Sequence, residues 1–298
     1  MAVRLARSQD VRLAQGLRPT ERPELPPRLT APDGRQRWVG VELELAGSSA
    51  RAAATLLRDL RGGRILERDP FRFDVEGSAL GDVRVELDLR LAHPPPDVVS
   101  GPQAWLARAV GLAASRLAQV ELIFPPLAPA RLAELDLLMG ELLDRAPGLR
   151  IDGPHLNPAV ASLEPSSIVA HLHAFVRLVP ELRAEMGVPT PGRMGFVTAY
   201  PPAYQALVSD PGYRPDLRRL IDDYLDANPT RYRELDLLPL LASVDPERVR
   251  RRLRVQKIKP RPVFHWRMPA ARPFAGVVAD WNRWVAVERL AVTLAGAD

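Results

Sequence analysis

Aliphatic and polar residues alternate from Trp38 to Leu45, a segment that reads Trp-Val-Gly-Val-Glu-Leu-Glu-Leu. Because successive side chains of a β-strand point to opposite faces, the pattern predicts a strand with Glu42 and Glu44 on its polar face, roughly 7 Å apart. Glutamate is depleted in strands, so the pair needs an explanation. The two acids either lie on the solvated face of an edge strand or bind a hard divalent cation, which prefers oxygen ligands.

The same alternation predicts further strands whose polar faces carry acids, histidines or an arginine. Together they would form one sheet face with carboxylates for Mg²⁺ and a guanidinium for a transferred phosphoryl group, as phosphoryl transfer requires. The predicted strands are residues 83–90 with Glu86 and Asp88, residues 120–126 with Glu121, residues 149–158 with Ile151, Gly153, His155 and Asn157 on one face, and residues 261–269 with His265 and Arg267.

Helical periodicity separates these strands at irregular intervals. The order of elements predicts an α+β fold, in which helices pack on the apolar face of an antiparallel sheet and the polar face opens to a cavity. His171 and His173 are two residues apart on one predicted helix, so they face different sides and are not expected to share a metal. The predicted helices run from Ser49 to Leu60 and over residues 103–117, 130–145, 166–186, 216–226 and 278–294.

Residues 1–35 are rich in Arg and Pro and predict a flexible, extended arm, which leaves residues 36–298 as one folded domain. The chain has no long apolar run at its start and no apolar stretch long enough for a membrane span. We therefore expect no signal peptide, no membrane partner and a cytoplasmic protein.

Composition removes several classes of function. The chain has no cysteine, which excludes thiol catalysis, disulfides and Cys-ligated zinc. Its net charge is +5, but all basic residues except Lys257 and Lys259 are arginines scattered among 36 acids. The basic cluster from Arg248 to Arg254 fits a solvated helix face better than a phosphate-binding patch, so no nucleic-acid partner is expected.

At these positions the sequence resembles the amidoligases, relatives of glutamate cysteine ligase and glutamine synthetase. The segment from Val39 to Glu44 looks like their first strand with two metal-binding glutamates. The remaining likenesses follow in order over residues 36–295: Ser78 to Asp88, Val120 to Pro126, the Gly-x-His strand from Gly153 to Pro158, Asn228 to Arg231, Leu235 to Pro239, Phe264 to Pro269 and Trp281 to Trp284.

The resemblance implies a glutamine-synthetase-like catalytic domain, in which antiparallel strands form a half-funnel with helices on its outer face. It implies an ATP-dependent ligase that uses Mg²⁺ or Mn²⁺ and joins a small-molecule or peptide carboxylate to an amine through an acyl phosphate. Related ligases self-assemble, so a homo-oligomer is compatible with it. The implied metal ligands or their supports are Glu42, Glu44, Glu86, Glu121 and His155; His155, Arg231, Arg267 and His265 would bind the nucleotide; and Arg267, His155 and Arg231 would be catalytic.

One departure from the family pattern concerns the late strand. Glutamine synthetase has Glu-x-Arg there, whereas this chain has His265-Trp266-Arg267, which indicates an altered last metal site. Two other functions use the same acidic face: a two-metal phosphohydrolase, and a binding module that keeps the fold without turnover.

Overall fold

A single sheet organises the part of the chain that the structure describes. The structure is a computed structural model and describes residues 22–88, 119–188, 197–253, 258–269 and 275–296. The predicted helix over residues 103–117 lies outside these ranges. All neighbouring strands run antiparallel in the order β2-β3-β4-β5-β1-β6-β8-β7. The eight strands are β1 Val39–Ala46, β2 Arg64–Asp69, β3 Arg72–Ser78, β4 Gly81–Leu87, β5 Val120–Ile123, β6 Arg150–Pro158, β7 Leu235–Asp236 and β8 His265–Trp266.

The helices cover the apolar face of this sheet, so the predicted α+β class and antiparallel sheet are confirmed. The glutamine-synthetase-like half-funnel stays a prediction. No helix in the described ranges is both long and apolar enough to cross a membrane. The eight helices among the described residues are α1 Ala50–Arg61, α2 Leu132–Arg145, α3 Pro165–Met186, α4 Pro202–Ser209, α5 Leu217–Ala227, α6 Leu238–Val244, α7 Pro246–Arg252 and α8 Val277–Gly296.

Burial along β1 follows the alternation of its sequence. The aliphatic residues from Val39 to Leu45 are at most 1% exposed, whereas Glu42 and Glu44 are half-buried on the opposite face. β1 pairs with β5 on one side and with β6 on the other, so it lies inside the sheet. The pair of glutamates is therefore not on an edge strand, which removes the alternative explanation that the sequence left open.

The prediction for one face of β6 is wrong at Ile151. The register between β1 and β6 shifts at Glu44, which pairs with Gly153, whereas Leu45 pairs with Ile151. The extra residue, Asp152, forms a bulge that rotates Ile151 into the core. Gly153 adopts a φ of 129°, a conformation that L side chains rarely adopt, and a Cβ there would meet no heavy atom within 4 Å.

Residues 22–24, where the described part of the predicted arm begins, lie against α8. Asn282 of that helix accepts a hydrogen bond from the Glu24 amide at 2.8 Å and donates to the Arg22 carbonyl at 3.1 Å. Trp281 Nε1 donates to the Glu24 carbonyl at 2.8 Å. The helix thus holds the backbone of residues 22–24 through side chains rather than through a strand ladder.

Asn282→Ala is expected to lower the stability of the fold by about 1–2 kcal/mol, because it leaves an amide and a carbonyl of this segment without their partner. The melting temperature should fall by about 2–6 °C in a chain of this size. Arg289→Ala is the matched control: it removes the ion pair between Arg289 and Glu24, whose side chains are 55% and 42% exposed, and should change the melting temperature by less than about 2 °C. Equal effects of the two variants would contradict the expectation.

Candidate active site

The strand register brings histidine and glutamate together at the centre of the sheet. Glu42 of β1 lies opposite His155 of β6. The His155 ring spans both acids of β1, with Nδ1 at 3.7 Å from Glu42 Oε2 and Nε2 at 3.3 Å from Glu44 Oε1. The histidine of the Gly-x-His strand thus contacts both glutamates of β1 directly.

His265 completes a group of three side chains that can hold a metal ion. Its ring centroid lies 5.6 Å from that of His155, edge to face. Glu42, His155 and His265 each offer one ligand atom, and these three atoms lie within 4.8 Å of one another. We call this group the metal triad. Its donors are one carboxylate oxygen and two imidazole nitrogens, a set that suits Mn²⁺ and other transition metals better than an all-oxygen ion such as Mg²⁺.

Burial and neighbouring charges prepare the metal triad for a cation. Burial alone would raise the pKa of Glu42, but its contact with His155 and the permanent positive charge of Arg261 oppose burial, and the pKa lies well below its usual value. Burial, assisted by the Arg267 charge, lowers the pKa of His265 well below its usual value. Glu42 is therefore a carboxylate and His265 a neutral imidazole with a free lone pair, which are the protonation states that metal ligation requires.

Glu121 and Glu86 continue a row of acids away from the metal triad. Glu44 lies opposite Glu121 in the β1–β5 register, and Glu121 lies opposite Glu86 in the β5–β4 register. Burial raises the pKa of Glu121 to about 9, and the charges of Glu42, Asp88 and Glu86 add to that shift. Glu86 accepts a hydrogen bond from Arg72 Nε at 2.6 Å. The predicted acidic face therefore exists, but Glu86 and Glu121 lie beyond the group of three that encloses the candidate cation position.

Arg267 and Arg231 lie at the other end of the site, near Asp236 of β7. Asp236 Oδ2 lies 3.9 Å from His265 Nδ1, and Asp236 Oδ1 accepts a hydrogen bond from the Leu238 amide at 2.8 Å. Burial raises the pKa of Asp236 to about 7, against the Leu238 hydrogen bond and the charges of Arg267 and Arg231. The sequence placed both arginines in the site, and the structure places both charges near Asp236 and the Arg267 charge near His265 as well.

Two residues of the site were not singled out from the sequence. Arg261 Nη1 lies 3.7 Å from Glu42 Oε1, and Asp236 contacts His265. Arg261 precedes His265 by four residues, but a sequence shows neither how far a loop arginine reaches nor which strand it approaches. Asn157, noted only as a neighbour of His155, donates from Nδ2 to Glu42 Oε1 at 3.3 Å.

Several buried polar atoms of this site have no hydrogen-bond partner among the described residues. Native proteins satisfy the large majority of buried polar groups, so a cluster of unpartnered ones offers hydrogen-bonding and ligating groups to a bound molecule or ion. These atoms point to a ligand with both acceptors and donors, beside a cation. They are His155 Nδ1, His265 Nε2, Asn157 Oδ1, Arg261 Nε and Arg267 Nε.

Comparison with known families assigns the chain. A family model described as "Putative amidoligase enzyme" matches residues 35–287, which is most of the sequence. The chain belongs to the amidoligase family. This confirms the resemblance drawn from the sequence, and membership indicates a ligase. Searches of curated proteins and of solved structures found no match.

Within this amidoligase, other groups that the sequence noted are structural. His171 is buried, stacks on Phe264 with ring centroids 4.8 Å apart and places Nδ1 2.7 Å from the Ser167 carbonyl. Trp281 and Trp284 are core residues. The basic segment from Arg248 forms helix α7, where Arg248 pairs with Asp222 and Asp245. These groups therefore need no ligand to explain them.

Proposed function

We propose that this amidoligase is an ATP-dependent carboxylate–amine ligase whose reaction passes through an acyl phosphate. The observation that supports it best is the cluster of unsatisfied polar atoms around the metal triad, since imidazole nitrogens, guanidinium N–H groups and a carboxylate are what a metal–polyphosphate complex requires. A cation held by the metal triad would neutralise charge on the phosphate oxygens. Because two of its ligands are imidazoles, we expect Mn²⁺ to bind more tightly than Mg²⁺.

The proposed reaction has two steps. A carboxylate oxygen of the first substrate attacks the γ-phosphorus of ATP, the bond from phosphorus to the β–γ bridging oxygen breaks, and ADP leaves. The amine nitrogen then attacks the acyl carbon, phosphate leaves with the electron pair of the C–O bond, and the nitrogen loses a proton. Arg267 carries positive charge near His265 and Arg261 carries positive charge near Glu42, where the two guanidinium groups could bind the transferred phosphate.

Isotope transfer tests this reaction directly. Carboxylate substrates labelled with ¹⁸O, drawn from amino acids and short peptides, would be incubated with ATP, Mn²⁺ and amines. A ligase forms ADP only when both substrates are present, and it moves one ¹⁸O from the carboxylate into phosphate. A phosphohydrolase forms ADP without either substrate and takes the oxygen from water. Nucleotide binding without ADP formation under any condition would show a binding module.

Arg267→Lys is expected to lower kcat at least about tenfold, or ~1.4 kcal/mol, while ATP affinity changes much less. The planar guanidinium can hold phosphate through two parallel hydrogen bonds, which the lysine ammonium cannot reproduce although it keeps the charge. Arg289→Lys on the exposed face of α8 is the matched control and should leave kcat unchanged. A loss of thermal stability with kcat preserved would instead assign Arg267 a structural role.

A further inference from the structure

Trp38 immediately precedes β1, the strand that contributes Glu42 to the metal triad. Its neighbours Arg37 and Val39 both point into the core, where they are 4% and 1% exposed, whereas Trp38 is 45% exposed. The ladder between β1 and β6 continues to this residue, since the Ala159 amide donates to the Trp38 carbonyl at 3.0 Å. Strand alternation therefore aligns Trp38 with Gly40, Glu42 and Glu44 on the polar face.

The exposed Trp38 side chain does not contribute to the hydrophobic core. The other described tryptophans, Trp266, Trp281 and Trp284, are at most 1% exposed. Trp38 is four positions before Glu42, so their Cα atoms are roughly 13 Å apart in extended backbone. An extended nucleoside triphosphate covers a similar distance from its base to its terminal phosphate.

Between Trp38 and the metal triad, this face first presents a glycine, then a neutral amide and then a positively charged guanidinium. Gly40 follows Trp38 on this face and keeps the surface flat: a Cβ there would lie 3.2 Å from Asn157 Cβ. Asn157, which pairs with Gly40 across the strands, uses Nδ2 for Glu42 and keeps a buried Oδ1 without a partner. Arg261 follows beside Glu42, with its buried Nε also unpartnered.

From this order we infer that Trp38 is the base-binding end of the nucleotide site. This inference rests on the proposed function and adds the orientation of the nucleotide. The adenine ring stacks on the Trp38 indole, a ribose hydroxyl donates to Asn157 Oδ1, and the phosphates pass Arg261 to reach the metal triad. In this order, the aromatic ring matches the base of ATP and the neutral amide oxygen matches the ribose. The guanidinium and the metal site match the phosphates.

The experiment separates the base from the phosphates. Isothermal titration in the presence of Mn²⁺ would compare ATP with inorganic tripolyphosphate, which lacks the adenosine part. Trp38→Ala is expected to raise the Kd for ATP at least about tenfold, since base–aromatic stacking typically accounts for a factor of that size or more. The Kd for tripolyphosphate should stay within about twofold of wild type, and Trp38→Phe, which keeps an aromatic ring, should restore most of the ATP affinity.

Fluorescence gives a second measurement on the same proteins. Trp38→Phe removes the indole of interest but leaves the other tryptophans, so the spectrum of wild type minus that of the variant reports Trp38. ATP should protect this difference signal from acrylamide quenching, and tripolyphosphate should not.

Each result decides the inference. If Trp38→Ala leaves the ATP Kd unchanged, or weakens ATP and tripolyphosphate equally, Trp38 does not bind the base, although ATP binding by the wild type would still support the proposed function. If the wild type binds tripolyphosphate and ATP with equal affinity, the base contributes nothing and the inference is overturned. If neither ligand binds the wild type, the proposed function fails and the inference fails with it.

Discussion

Glu42→Gln is expected to weaken Mn²⁺ binding at least about 100-fold and to remove ATP-dependent turnover. Loss of an outer-shell partner of a metal ligand typically costs 10- to 100-fold in affinity, so loss of a direct ligand should cost at least as much. Glutamine keeps the shape of the side chain and its hydrogen bond with Asn157, but a neutral amide oxygen binds a divalent cation far more weakly than a carboxylate. Titration calorimetry with Mn²⁺ and a coupled assay of ADP release would measure the two effects.

Glu67→Gln is the matched control for this variant. Glu67 also lies on a strand of the sheet, but its side chain is 46% exposed and pairs with Arg51 at the surface. Its substitution should change neither Mn²⁺ affinity nor turnover. If Glu42→Gln keeps near wild-type turnover at limiting Mn²⁺ while its near-ultraviolet circular dichroism is unchanged, Glu42 is not a metal ligand.

Glu288→Ala is expected to destabilise the fold by about 3–5 kcal/mol, because it leaves the Arg37 guanidinium buried without its counter-ion. Arg37 and Glu288 form a two-bond ion pair in which the side chains are 4% and 2% exposed. Glu288 also accepts from Trp284 Nε1 at 2.7 Å, and Arg37 donates to the carbonyls of Ala159 and Arg28. The network joins the residues just before β1, the residue just after β6, the N-terminal segment at Arg28, and α8, so its loss affects all four.

Thermal and urea unfolding of Glu288→Ala should show a fall in melting temperature of about 6–20 °C. Glu185→Ala provides the comparison, since Glu185 pairs with Arg283 but is 60% exposed, and its removal should cost at most about 1 kcal/mol. A second variant, Arg37→Met with Glu288→Leu, removes both charges and should recover much of the lost stability. If the single and double variants are equally unstable, packing of these side chains matters more than their charges.

The sequence predicted the strands and helices whose hydrophobic period is regular. The alternation in β1, β4, β5 and β6 gave the correct faces for Glu42, Glu86, Glu121 and His155, because burial on one side forces that period. Elements with mixed composition were missed, notably the β2–β3 hairpin, where most of β2 is charged and only partly buried. The strand predicted over residues 261–269 is much shorter in the structure. Only His265 and Trp266 of β8 pair with β6 or β7.

The composition of the site was more predictable than its geometry. Residue types and spacing were sufficient to propose Glu42, Glu44 and His155, which the structure brings into contact. The participation of His265 depends on β8 lying next to β6, and no local pattern states which strand a two-residue segment will join. Arg261 and Asp236 were missed for the same reason, because their roles arise from long-range pairing.

The order of strands also has a consequence for synthesis of the protein. Glu42 is contributed near the start of the described chain and His265 close to its end, yet they meet two strands apart in one sheet. A nascent chain that has left the ribosome up to β6 carries Glu42 and His155 but not the third donor. If the metal triad binds a cation as proposed, all three donors would be available only once β8 has emerged.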